Sequence, residues 1–497
     1  MKIQALAYAV LSLCGLAAVH AAEPAAKPAT AAPRAESADE ARMRAAENLT
    51  EQQIKSTTNR EALSRLAQFY NGRDLQRFIW SMQRLVELYP NSGALRLQLA
   101  AVYAGQGDKS NTYDTLLKMQ NLGFAYSIGN DPRFEKVHGT KVWEYAVANL
   151  DANAKPFGEG KVAVQLPAGD TLLEALAWDS KRKQLLVGSA RDGAIHRVEK
   201  DGKLADFIKP DPASGLYSVL DLKADAANDV LWVASYGAPV YKSYTAEMVD
   251  HSYLLKYSLS SGKLLGKYSI EDKTGHLFGF VAVAGDGRVY VADPARREIF
   301  KLDGDKLVQV TSNSMLTGIS GLAVSSDGRN LYFADPALGL FGMDLSTARP
   351  FSVGHSPDSL VVGGVSSLFW YDGSLILVQD NMVPQRVMRL KLDKDGRNVV
   401  TAMPLDAAKP EFTMLGNGAV AGDDFYFVAN SQRELYDSHG VLSDAKLLQP
   451  IKVYKSNLRF AWDQPGISAG LKPIPAAGDA KVRFENPEPA PKQDDNK

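Results

Sequence analysis

The sequence is nearly devoid of cysteine. Its single copy, Cys14, lies within an apolar run near the start, so no disulfide framework can hold the chain and stability must come from packed cores. Charge of one sign is also missing. Lys and Arg number 56 against 57 Asp and Glu, and no long basic run occurs, which excludes the positive field that nucleic acid or an anionic membrane surface calls for. Long hydrophobic runs are confined to the first residues. MKIQALAYAVLSLCGLAAVHAAEPAAKP has Lys2, an apolar stretch over 5–18 and a small-residue cleavage pattern before Ala22. This is the pattern of a secretory signal peptide, too short and Ala-rich for a membrane span. Leu13 before Cys14 is not the small residue a lipoprotein signal needs. The expectation is a periplasmic or secreted protein with no membrane span after signal removal.

What is present divides the remainder. Residues 22–49 begin with an Ala/Pro-rich stretch that has little to bury and reads as a linker, and 466–497 reads as a disordered tail. Over 50–153 the apolar period is helical. Leu63, Leu66, Phe69 and Tyr70 share one face, and Leu95, Leu99, Ala100 and Tyr103 share another before Gly105 and Gly107. Helix, short Gly/Asp turn, helix is the signature of a helical hairpin. Residues 91–123, with Tyr103, Gly107, Asp108 and Leu117, resemble a tetratricopeptide repeat, which implies a groove for a protein or peptide partner.

From Lys161 the period becomes two. LLEALAWDSKRKQLLVGS, YSVLDLKADAANDVLWVAS, GFVAVAGDGRVYVAD, GISGLAVSSDGRNLYFAD, GGVSSLFWYDGSLILVQD and GNGAVAGDDFYFVAN each read as strand, polar turn, strand, with a third strand following. Asp286-Gly287, Asp327-Gly328 and Asp372-Gly373 are hairpin turns. Six copies at roughly 45 residues each predict a six-bladed β-propeller over 161–460. The last copy runs short of strands while KVAVQLP stands alone before the first. Residues 161–166 are therefore expected to close the ring as the outer strand of the last blade.

These copies resemble the gluconolactonase/regucalcin family and, more loosely, NHL-type propellers, through LLEALAWDSKRKQLLVGSARDGAIHRVEKDG and ISGLAVSSDGRNLYFAD. The resemblance implies one divalent cation, calcium in many members, at a mouth of the central channel, held by oxygen ligands. Carried over position by position, it implies Glu174, Ser320, Ser366 and Asn417 as the metal set. Ser320 and Ser366 stand where the family has Asn and Asp, and neutral hydroxyls replace an anionic ligand poorly.

Blade topology places inner-strand starts and second-strand ends on one face. That face gathers Glu174, Ser218, Asp221, His276, Asp380, Asn381 and Asn430, and two long excursions at 237–252 and 430–446. Asp380 and His276 are the expected catalytic acid or base, at a mouth taking a small-molecule ligand. His251, His355 and His439 fall on the same face, His196 in a strand, and no HxH or HExxH spacing occurs. Asp293 and Asp335, each before Pro, are expected to accept backbone N–H groups in a turn. Two functions follow: an exported hydrolase of lactone or ester type, and a non-catalytic interaction scaffold in which the helices bind a protein.

Overall fold

The computed structural model describes residues 49–272, 274–460 and 463. The expected signal peptide lies outside the described residues, as do most of the linker and the tail expected over 466–497. No helix among the described residues is long and apolar enough to cross a membrane.

The helical part comprises α1 (Glu51–Ser56), α2 (Arg60–Tyr70), α3 (Leu75–Leu88), α4 (Gly93–Gly105), α5 (Lys109–Asn121) and α6 (Lys141–Asn153), with a 3-10 turn at Pro132–Val137. Each helix starts where a short polar side chain takes an N–H of the first turn: Thr50, Asn59, Asp74, Ser92, Asp108 and Thr140. One apolar cluster joins Leu63, Tyr70, Phe78, Met82, Leu99 and Tyr103. A second joins Leu116, Met119, Phe134, Trp143 and Leu150, and continues into Val361 and Met382 of the β part.

The β part is a six-bladed propeller of four-stranded antiparallel sheets. Blades one to five run over 173–208, 218–268, 280–312, 322–352 and 367–407. The sixth contains Gly418–Ala421, Asp424–Val428 and Ile451–Asn457, and its fourth, outer strand is Lys161–Leu166. Register runs from Lys161 opposite Lys455 to Leu166 opposite Ile451, so the ring closes as the orphan strand predicts. Turn chemistry matches the hairpins. Tyr371 pairs with Ser374, and Asp372 and Gly373 between them have φ of 40° and 66°, the left-handed pair that a tight hairpin turn requires.

Each inner strand is tied to its own blade. Gly279, Ser320 and Ser366 donate their N–H groups to Ala292, Ala334 and Val378. The next residue, Asp293 or Asp335, takes N–H groups of the entering loop and of the turn that follows it: Leu277 and Arg296 on Asp293, and Thr317, Gly318, Ala337 and Leu338 on Asp335. The turn-acceptor expectation therefore holds for both. The inner strands enclose a cavity of about 250 Å³ bordered by Leu176, Lys223, Ala282, Ala323, Phe369 and Ala419, one from each blade.

The helices sit on the face that carries the inner-strand starts. Asn91 donates from Nδ2 to Ala337 O at 3.1 Å and accepts Val362 N–H at 3.2 Å. Ala125 N–H reaches Val383 O at 2.9 Å. Arg386, buried at the start of the third strand of blade five, abuts Gly123 just beyond α5, where helix carbonyls favour a cation. Burial pushes Arg386 down to about 10, still charged at neutral pH, and its Nε donates to Gln379 Oε1 at 2.7 Å.

Candidate functional site

Glu174 sits in a β-bulge between Leu173 and Ala175, which re-aims its side chain from the sheet face toward the channel mouth. It is 7% exposed, and its partner is Arg433 from the long connection of blade six. Arg433 Nε donates to Oε1 at 3.1 Å and Nη2 donates to Oε2, so both carboxylate oxygens are engaged by one guanidinium. Burial works against the charge of Arg433, but Glu174 and Asp380 together hold its pKa above the ordinary arginine value.

The Arg433 loop is fixed at several points. Gln432, at φ 62°, exchanges two hydrogen bonds with Gln449 backbone. Tyr436 donates to Asp170 at 2.9 Å, and Asp170 binds Arg191 through both oxygens at 2.6 and 2.9 Å. Arg191 Nη1 also donates to Val240 O and Gly440 O, tying the two long excursions together over blade one.

Asp380 faces this ion pair. Backbone ties put Gln379, not Asp380, at the position of Asp293 and Asp335, and Gln379 locks its loop through Nε2 to Val361 O and Gly363 O. Asp380 is one residue further on and is released from that duty. Its Oδ1 accepts Leu415 N–H at 2.6 Å. Burial raises its pKa to about 6, with Glu174 and Glu434 adding to the rise, while the Leu415 bond and Arg433 oppose it.

Asn417 does not join Glu174. Its Nδ2 donates to Asp221 Oδ1 at 2.6 Å, and its own oxygen accepts Gly418 N–H. Asp221 also takes Lys223 Nζ at 2.7 Å and Val281 N–H at 2.8 Å, joining blades two, three and six across the channel. The hydroxyls of Ser320 and Ser366 donate to Ala334 O and Val378 O of their own blades.

The four side chains implied as a calcium set are thus each engaged elsewhere, and a guanidinium covers the one carboxylate among them. This donor set does not fit a divalent cation. A side chain that already carries the compensating charge stands where the ion would be needed. Among the described residues, the group of His, Asp and Glu atoms compact enough for a metal is His276, Asp293 and Glu298, within 4.8 Å of one another, and Arg296 occupies Glu298 at 2.9 Å.

His276 is buried with both ring nitrogens taken, Nδ1 by Asp293 at 2.9 Å and Nε2 by Asp272 at 3.2 Å. Burial opposes its charge, but the two carboxylates outweigh this and raise its pKa. With both ring nitrogens held by carboxylates, none is left for a substrate; His276 is a structural residue rather than the expected base, which leaves Asp380 as the acid–base candidate. His251 and His439 are exposed, and His355 contacts Val353 O. Arg433 and the Asp170–Arg191 pair were not distinguishable in the sequence. The signal available was the length of the 430–446 excursion, without a motif to single out its arginine.

The fold and mouth define a six-bladed β-propeller with a charged, loop-covered channel opening. No family model matches the chain, and no curated protein matches it. Among solved structures it is similar to a gluconolactonase from Xanthomonas campestris, at 14% identity over 62% of this chain and 93% of that one, TM-score 0.40. It is also similar to a streptogramin B lyase at 12% identity, over 61% and 98% of the two chains, TM-score 0.41. A PQQ-bound aldose sugar dehydrogenase from Streptomyces coelicolor matches at 17% identity, over 61% and 99%, TM-score 0.38.

Proposed function

We propose that this is an exported propeller protein that binds a small polar molecule at the channel mouth, over the Glu174–Arg433 pair and Asp380. One observation carries the reading: Asp380 is a partly buried carboxyl beside a fixed guanidinium, its pKa raised by burial to about 6, at a position whose counterparts in blades three and four are not carboxyls. The rigid Arg433 loop supports it, since preorganised groups bind with less ordering cost.

Hydrolysis of a lactone or ester is a second reading, favoured by the pairing of Asp380 with Arg433. Asp380 would take a proton from water as the water oxygen attacks the carbonyl carbon. Arg433 would stabilise the oxyanion, and the proton would return to the leaving alkoxide. The residues present support this without a metal. A panel of lactones and aryl esters, assayed with and without chelator on wild type and Asp380→Asn, tests it. Turnover that is chelator-resistant and lost in Asp380→Asn is expected; none in wild type removes the catalytic reading. Ligand-observed NMR with a fragment library tests the binding reading, which fails if no fragment is displaced by changes at Asp380 or Arg433.

A protein or peptide partner for the helices, as the tetratricopeptide resemblance implies, would use the surface the propeller leaves free. Leu75, Val142 and Tyr145 are exposed there. A pull-down that compares wild type with Tyr145→Glu tests it.

A further inference from the structure

The charges at the mouth do not balance. Arg433 is held by Glu174 through two of its nitrogens, so its charge already has a partner. Asp380 lies within the field of that pair and of Glu434, an exposed residue next to Arg433. Its one hydrogen-bond donor among the described residues is the Leu415 N–H, on Oδ1. Its Oδ2 has none. One guanidinium therefore faces three carboxylates, and Oδ2 of the partly buried Asp380 is left without a donor among the described residues. A carboxylate so placed attracts a cation that brings its own N–H groups. An anionic ligand placed against Asp380 would meet repulsion from it, Glu174 and Glu434. A bare divalent ion would need several free oxygens, and those of Glu174 and Asn417 already accept hydrogen bonds from Arg433 and Gly418.

We infer that the ligand of the mouth carries a cationic amine or guanidine, which donates to Asp380 Oδ2 beside the Glu174–Arg433 pair. This rests on the reading of the mouth as the binding site, and names the chemical class it selects. The groups facing Asp380 are Arg433, Glu174 and Glu434, and protonation of Asp380 would remove the attraction.

The test uses the full chain and three shape-matched probes: benzylamine, neutral N-acetylbenzylamine and benzoate, followed by saturation-transfer NMR at pH 7.5 and pH 5. Benzylamine is expected to bind at pH 7.5 with affinity at least about tenfold above the other two. That preference should vanish in Asp380→Asn and at pH 5, while the thermal midpoint of the variant stays at or above that of wild type. Equal or better binding of benzoate overturns the inference, as does benzylamine binding unchanged in Asp380→Asn, or no benzylamine binding at all. If N-acetylbenzylamine binds as well as benzylamine and is displaced in Arg433→Met, the mouth remains the site and only the cationic class falls. If calcium alone displaces benzylamine from wild type, the mouth is a metal site and the inference is wrong.

Discussion

Replacing Arg433 by Met should expose what the guanidinium does for Glu174. The Glu174 side chain is 9% exposed and that of Arg433 is 35% exposed. Breaking a fully buried pair costs about 3–5 kcal/mol, because a carboxylate is left without a counter-charge. Solvent reaching Arg433 screens part of that, so about 2 kcal/mol is expected. In a protein of this size that corresponds to a fall in Tm of about 2 °C by differential scanning fluorimetry. Glu174→Gln with Arg433→Met removes both charges and should return to within about 1 kcal/mol of wild type, so the two changes are strongly non-additive. Calcium distinguishes this account from general loop damage. In Arg433→Met, Glu174 and Asp380 are left together with both oxygens of Glu174 free. Added calcium should then raise the Tm of the single variant, by about 1.4 kcal/mol at tenfold excess over Kd, and leave wild type unmoved. A wild type stabilised by calcium as much as the variant would refute the reasoning, as would a double variant less stable than Arg433→Met.

Asp380 has a folded pKa of about 6 against 3.8 when exposed in the unfolded chain, so between pH 4 and 6 the folded state binds more protons than the unfolded one. Stability should therefore fall as pH rises through that window, by at most about 3 kcal/mol, and Asp380→Asn should abolish this component in urea titrations across pH. Asp335→Ala removes the acceptor of four backbone N–H groups and the Thr317 hydroxyl. A loss of about 3–5 kcal/mol is expected, against under 1 kcal/mol for the exposed Asp305→Ala, measured by chemical denaturation. Asn91→Ala breaks two hydrogen bonds between helices and propeller, at a cost of about 1–3 kcal/mol. Limited proteolysis between the two parts should accelerate in this variant while near-UV circular dichroism of the propeller is retained.

The propeller was legible because its signal is periodic. Alternation, Asp-Gly turns and a surplus strand before the first copy sufficed to give six blades and the closing pair, and the roles of Asp293 and Asp335 followed from the Pro after each. The mouth was legible only in part. Alignment by sequence put Asp380 level with Asp335, but hydrogen bonds put Gln379 there, a one-residue offset that hairpin patterns alone do not reveal. Glu174 was found through its place in an apolar strand. Arg433 escaped because it arrives from an irregular loop, and its partner lies 259 residues away in sequence. The seat of the helices on the mouth face was likewise invisible. It depends on loop residues such as Val361, Met382 and Val383, which carry no period.

The closing strand also decides how the molecule takes mechanical load. Lys161 pairs with Lys455, so the chain from the helices enters blade six beside the point where the chain leaves after Asn457. Tension between the two ends of the propeller loads this ladder, which opens bond by bond from Lys161 toward Leu166, and also the ties of both ends to blade five: Phe157 to Ala407, Gly160 to Asp406, and Leu458 and Asp463 to Arg389. Blade five shares the load through these ties, and blades one to four lie behind it, so the ring resists pulling like a zip whose open end is pinned on both sides.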